Sequence, residues 1–430
     1  MADCPHGKPR SGRSEEVSGV RTVPRVMLPR RLRESRRLLE VCLALTQVLG
    51  LVTSVVLART LGPAGRGTIT TLTVWAQVLM RTACLDMDRA IAVVSRLDGL
   101  APHATYRRAR RIVWQIALPA SGVAAGLYLA ATGSPMLGAA LALAILAGAR
   151  FEVSMGLLLA TGELATFALR RLVQPVAYAA GAGALLLWRA VADPGEQVLV
   201  ATAAALFAAS LVVAAVLSNP RPGAPELSDR VPPLVRRRLV VFGAKSQAVS
   251  LAQFLNGRLD LILVGLLLTA TDVGLYAVAT VAGAALVFLG AAGFTRGLSG
   301  ETSTFDARGL LAVIAMAALG IVAAPWALTL VFGNDFADAA PSARILLIGG
   351  IFGYLAATVS GRLIGLGAPV RASVAQSLGV LTLTVIAVLG PRSIEAVAVA
   401  SSLGYAATAL AGHVLERSAT TPAAGVDEAP

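Results

Sequence analysis

Stretches of about twenty predominantly apolar residues, the length an α-helix needs to cross roughly 30 Å of bilayer hydrocarbon, recur from one end of this sequence to the other. A chain built this way has little freedom. Its 430 residues are 56% hydrophobic and only 14% charged, whereas a soluble domain carries about 25% charged residues. The pattern specifies an all-α polytopic membrane protein with no separate soluble domain. Twelve spans are expected, at about 38–58, 68–94, 112–131, 136–160, 172–188, 196–218, 239–267, 273–297, 309–332, 342–364, 371–389 and 394–414.

The net charge of +13 belongs to topology rather than to nucleic acid. Only Lys8 and Lys245 are lysines, and the arginines cluster between apolar runs. Arg25 to Arg37 precede span 1. Arg107, Arg108, Arg110 and Arg111 follow span 2, Arg170 and Arg171 follow span 4, and Arg221 to Arg238 follow span 6. The alternate connections, such as "TATD" and "GNDFAD", are short and poor in basic residues, although Arg59 and Arg66 break the bias. Excess Lys and Arg marks the cytoplasmic side. Both termini are therefore expected in the cytoplasm. Cys4, Cys42 and Cys84 form no paired or zinc-type spacing, and the polar first 37 residues do not read as a secretory signal.

The Pro- and Arg-rich segment 219–238 divides the spans six and six. The expected organisation is a basic tail (1–37), a six-helix bundle (38–218), a cytoplasmic linker (219–238), a second six-helix bundle (239–415) and a disordered tail (416–430). An even number of spans per half makes the repeats parallel, related by a pseudo-twofold along the membrane normal. Weak self-similarity appears at an offset of 207 residues: "TLGPAGRGTIT" falls on "LLTATDVGLYA", with Gly67 over Gly274. Upstream, Thr46, Gly50 and Thr53 fall on Gln253, Gly257 and Asp260.

Charge inside the apolar runs needs a reason, because it costs about 2.5–3.5 kcal/mol at the bilayer centre on insertion scales. In span 7, Ser246, Ser250, Gln253, Asn256 and Asp260 share one helix face, with Arg258 off the stripe. Either this face lines a polar cavity, or its residues bond to neighbouring helices and fix their packing. Thr70, Thr73, Gln77, Arg81 and Asp88 form a similar stripe in span 2, where Arg81 and Asp88 would lie about 10.5 Å apart along the axis and partly neutralise each other. Arg150 and Glu152 fall in span 4. The candidate cavity residues are Arg59, Gln77, Arg81, Arg150, Gln253, Asn256 and Asp260.

"VVLARTLGPAGRGTITTLTVWAQVL", "NGRLDLILVGLLLTATDVGLYAVA" and "LVFGNDFADAAPSARILLIGG" resemble segments of bacterial polysaccharide and lipid-linked oligosaccharide flippases of the multidrug/oligosaccharidyl-lipid/polysaccharide (MOP) exporter superfamily. "DMDRAI" departs from that pattern. The resemblance implies two bundles forming a V and alternating access that moves an undecaprenyl-diphosphate-linked glycan between leaflets. Arginines would bind its diphosphate bidentately, and Asp260 is the candidate for coupling to H⁺ or Na⁺. Implied partners are the lipid-linked glycan, membrane lipids, and a glycan polymerase or glycosyltransferases; no cofactor, metal, catalytic residue or nucleic acid is implied. The alternatives are a MATE-like efflux antiporter of small molecules and, behind it, a membrane glycan polymerase or ligase, for which the outer loops are too short. GxxxxGK is absent, so ATP hydrolysis is not expected.

The charge bias makes a direct prediction. Single cysteines at Pro225 and Asp335, in a background lacking Cys4, Cys42 and Cys84, should differ in labelling by an impermeant thiol reagent in intact cells, with only the Asp335 site reacting. Equal labelling of the two positions would overturn the twelve-span map.

Overall fold

The computed structural model describes residues 30–97, 99–219, 233–298, 307–366 and 368–420. Most of the basic tail, the linker and the C-terminal tail, and the Arg296 side chain, lie outside the described residues. The described chain is helical throughout: α1 (Arg30–Cys84), α2 (Met87–Leu97), α3 (Pro102–Thr132), α4 (Pro135–Thr161), α5 (Leu164–Ala192), α6 (Glu196–Leu217), α7 (Pro233–Leu267), α8 (Ala270–Leu298), α9 (Ala307–Phe332), α10 (Ala340–Gly365), α11 (Pro369–Leu389) and α12 (Ile394–Thr420), with a 3₁₀ turn at Asn334–Ala339. Eleven helical runs among the described residues are long and apolar enough to span a membrane.

The longest run is two passages joined at a kink. Gly62 has φ 66° and ψ −178° and is followed by Pro63. Positive φ is cheap only for glycine, and proline is preorganised for a helical first turn. Arg66 then donates to Ser54 Oγ at 2.9 Å. In a straight helix those residues would be about 18 Å apart along the axis, beyond the reach of an arginine, so the chain folds back at Gly62. Counting the two limbs separately gives twelve passages, with both described chain ends at one end of the bundle. That end is called the terminal end here, and its opposite the far end.

Several helices run beyond their apolar cores. Arg107 to Arg111 lie within α3, Arg170 and Arg171 within α5, and Arg236 to Arg238 within α7, where connecting loops were expected. Arginine is a good helix former, so hydropathy marks the membrane-embedded part of a helix and not its end. Span 2, expected as one helix, is interrupted at Leu85 and Asp86, both at positive φ (47° and 51°). Arg81 and Asp88 therefore sit on different helices, and the expected seven-residue pairing does not form. Two further close approaches surround the break. A Cβ on Gly243 of α7 would lie 2.5 Å from the Leu85 carbonyl, and one on Gly156 of α4 would lie 2.5 Å from Asp88 Cα.

α4 packs against α1, α2, α3 and α6, and forms the centre of the first half. α10 holds the same place in the second, with its most extensive contact on α8. Gly283, Gly290, Gly350 and Gly361 let the α8 and α10 backbones meet, the use of small residues that membrane helix packing favours. The halves meet at the far end through α1 and α8. A Cβ on Gly67 would lie 1.7 Å from the Ala270 carbonyl oxygen, and one on Gly274 would lie 1.9 Å from the Pro63 carbonyl oxygen. Each contact maps onto the other under the 207-residue offset, so the contact surface is self-complementary, as at a two-fold axis.

Adding a methyl group at either glycine must separate the halves. Gly274→Ala is expected to lower thermal stability in detergent by about 1–3 kcal/mol, the range for overpacking. Gly50→Ala, with nothing within 4 Å of the added atom, should be neutral or slightly stabilising because alanine is the better helix former. Equal melting of both variants would remove the clasp from the stabilising contacts.

Candidate functional site

The polar face of α7 divides between two sets of neighbours. Near the terminal end, Ser246 and Ser250 turn to the first half. Both hydroxyls donate to Asp86 Oδ2, Ser250 at 2.9 Å. Arg89 pairs with the same carboxylate at 3.5 Å and donates to Ser250 Oγ at 2.8 Å. Asp86 is buried, and these bonds, which involve an ionised group, are worth about 1.5–3 kcal/mol each. They hold the strained Leu85–Asp86 turn against α7.

Further along, α7 faces the second half. Asn256 Nδ2 donates to Gln376 Oε1 at 2.5 Å and to Thr408 Oγ1 at 3.1 Å, and Gln376 Nε2 donates to Ser360 Oγ at 3.0 Å. One turn on, Asp260 is held by neutral donors only. The Leu261 amide reaches Oδ1 at 2.8 Å, and the Tyr276 and Ser401 hydroxyls reach Oδ2 at 3.0 and 3.1 Å. Asp260 thus keeps its place through hydrogen bonds from α8 and α12, with no ion pair to it among the described residues.

These groups border a cavity of about 480 Å³. α7 contributes Gln253, Gly257, Arg258 and Asp260, α1 contributes Gln47, and Thr280, Ser360, Gln376, Ser401 and Tyr405 supply amide and hydroxyl groups from α8, α10, α11 and α12. Phe288 and Phe294 add apolar wall. Arg258 shares this wall with Asp260 although the two point to different sides of α7, because the cavity wraps around the helix. Arg66 lies within electrostatic range of Arg258. Arg81 stacks over the Phe254 ring at 5.3 Å, next to Gln253, and Gln77 is half-buried one turn away.

Of the sequence candidates, Gln253 and Asp260 line the cavity, and Asn256 stands behind its wall. Arg81 and Gln77 lie on the facing helix. Two candidates are elsewhere. Arg59 is at the far end, where it donates to the Leu330 and Val331 carbonyls of α9, Val331 at 2.8 Å, while Arg189 donates to the carbonyls of Arg59 and Thr60. These arginines satisfy carbonyls that the ends of α9 and of the first limb of α1 leave open. Arg150 lines a separate groove on α3 and α4 and donates to Asn219 Oδ1 at 3.2 Å. Glu152, the neighbouring sequence candidate in α4, pairs with Arg171 of α5 at 3.1 Å. Sequence reasoning missed Gln376, Ser401 and Tyr405, which reach the cavity from distant helices and carry no local motif.

Replacing Asp260 separates its charge from its bonds. Asparagine keeps an acceptor for the Leu261 amide and can donate to either hydroxyl oxygen. Asp260→Asn is therefore expected to insert normally and melt within about 1–2 kcal/mol of the parent, and Asp260→Ala to lose more by orphaning Tyr276 and Ser401. A fall as large for Asn as for Ala would show the charge itself to be structural.

No family model matches the chain, and no curated protein does. Solved structures do. The lipid II flippase MurJ in an inward closed conformation superimposes with a TM-score of 0.69 at 12% identity, over 88% of this chain and 87% of that one. An inward-facing MATE-family multidrug resistance transporter gives 0.61 at 12% identity, over 87% and 94%. A MOP superfamily transporter from Pyrococcus furiosus gives 0.53 at 13% identity, over 90% and 94%. The two halves, the clasp between them and the polar cavity are thus built on the fold of the MOP superfamily transporters.

Proposed function

We propose that this chain is a transporter that moves an anionic lipid-linked oligosaccharide or polysaccharide precursor across a bacterial inner membrane by alternating access, with both termini in the cytoplasm. The observation that carries the reading is the Arg258 guanidinium in the cavity wall beside Asp260, with Arg81 of the facing helix stacked over Phe254 next to Gln253. Guanidinium groups match diphosphate oxygens in pairs, and the amide and hydroxyl wall replaces water around a sugar. A volume of about 480 Å³ is in the range of small-ligand sites. It suits a head group whose lipid tail stays in the bilayer. The MurJ likeness, a lipid II flippase by name, supports this reading, and the MATE likeness supports a second. In that second reading Asp260 receives a cationic small molecule or the coupling ion.

The two readings separate in proteoliposomes. Arg81→Ala and Arg258→Ala should each reduce translocation of a fluorescent undecaprenyl-diphosphate saccharide about tenfold or more, the loss of one charge-assisted bond. Lysine should restore it in part, because it cannot make the paired contact. Asp260→Asn should leave transport insensitive to an imposed Na⁺ or H⁺ gradient. Silent arginine variants, together with loss of organic-cation efflux in Asp260→Asn, would overturn the flippase reading in favour of the antiporter.

A further inference from the structure

A second cavity, of about 420 Å³, lies between α3 and α4 and shares no residue with the first. Arg110, Arg111, Trp114 and Gln115 of α3 and Arg150 of α4 line it. Among the described residues none of the three arginines has a carboxylate partner. Arg110 stacks on the Tyr106 ring at 5.8 Å, and Arg150 bonds only the Asn219 amide oxygen. Three guanidinium groups around one opening repel each other, and that arrangement calls for an anion.

The helix faces show what kind of anion. On α3 the residues following Arg111 and Gln115 at helical spacing are Leu118 and Gly122, and on α4 the residues preceding Arg150 on its face are Leu146, Leu143 and Ala139. Leu118 is 55% and Leu143 46% exposed. The groove thus has a basic part toward the terminal end and an apolar track running toward the bilayer centre. Arg111 is about 14 Å along α3 from Pro102, a depth that places it at a head-group boundary, where tryptophans such as Trp114 concentrate.

We propose that this groove binds the phosphate head group of an anionic bilayer phospholipid, with its acyl chain along Leu118 and Leu143. Basic pockets between membrane helices hold lipid head groups in this way. The site is on the outer flank of the first half and stands independently of the transported substrate.

The test uses the full-length protein in mild detergent. In native mass spectrometry it should retain phosphatidylglycerol at least fivefold over phosphatidylcholine. The triple variant Arg110→Gln, Arg111→Gln, Arg150→Gln should lose that preference, and Arg308→Gln, which removes an exposed arginine of α9, should keep it. A second measurement needs no arginine variant. Brominated phosphatidylglycerol should quench tryptophan emission more than brominated phosphatidylcholine does, and the excess should vanish in Trp114→Phe. The proposal fails if the folded triple variant keeps the preference or Arg308→Gln loses it equally. It also fails if the quenching excess survives Trp114→Phe, or if millimolar inorganic pyrophosphate displaces the lipid, which would make the occupant a soluble anion.

Discussion

The far-end contact between Gly67 and Gly274 sets the geometry of everything around it. A backbone carbonyl can come this close to a helix only where the residue it meets carries no side chain, and here the two contacts are repeat equivalents: Gly67 meets the Ala270 carbonyl and Gly274 meets the Pro63 carbonyl. The contact is short, with both glycines buried, so it has few alternative arrangements. It fixes where α1 crosses α8. The Gly62–Pro63 fold then places the first limb of α1 beside the cavity through Gln47, while the second limb carries Gln77 and Arg81 toward α7.

The two buried acids beside α7 and on it, Asp86 and Asp260, are tolerated by different devices. Asp260 is surrounded by donors that were already on neighbouring helices, and it costs no second buried charge. Burying an ion pair often recovers less than it costs, and three neutral donors from α7, α8 and α12 satisfy Asp260 without one. Asp86 works differently. It occupies a turn whose backbone is itself strained, and its bonds to Ser246 and Ser250 couple that turn to the opposite half.

Much of this was legible in the residues. Apolar spacing located each passage, with helix ends up to ten residues outside the expected spans, because bilayer thickness dictates the length of the embedded part alone. The 207-residue offset paired Gly67 with Gly274, and the contact follows that pairing. The polar face of α7 was visible from its periodicity. Its division was not: a helical wheel gives direction around one axis and says nothing about which neighbour stands there, so Ser246 and Ser250 could not be separated from Asn256 and Asp260. Arg59 and Arg150 looked like cavity residues because charge within an apolar run is ambiguous between an interior, a helix end and an outer groove. The break at Leu85–Asp86 had a local sign in "DMDRAI", but ordinary residues at positive φ have no sequence signature, and only the tertiary bonds of Asp86 explain them.

Two of the contacts between the halves differ in what their opening would exchange. At the terminal end, parting α7 from the Asp86 turn trades hydroxyl–carboxylate bonds for water–carboxylate bonds, at a net cost of about 1.5–3 kcal/mol each, and it undoes the close approach of Gly243 to the Leu85 carbonyl. At the far end, parting α1 from α8 removes close backbone packing that neither lipid nor water replaces in kind, and it also strips Arg59 from the α9 carbonyls. The two contacts therefore differ in kind: water can take over the hydrogen bonds of the terminal-end contact, whereas neither water nor lipid takes over the packing at the far end.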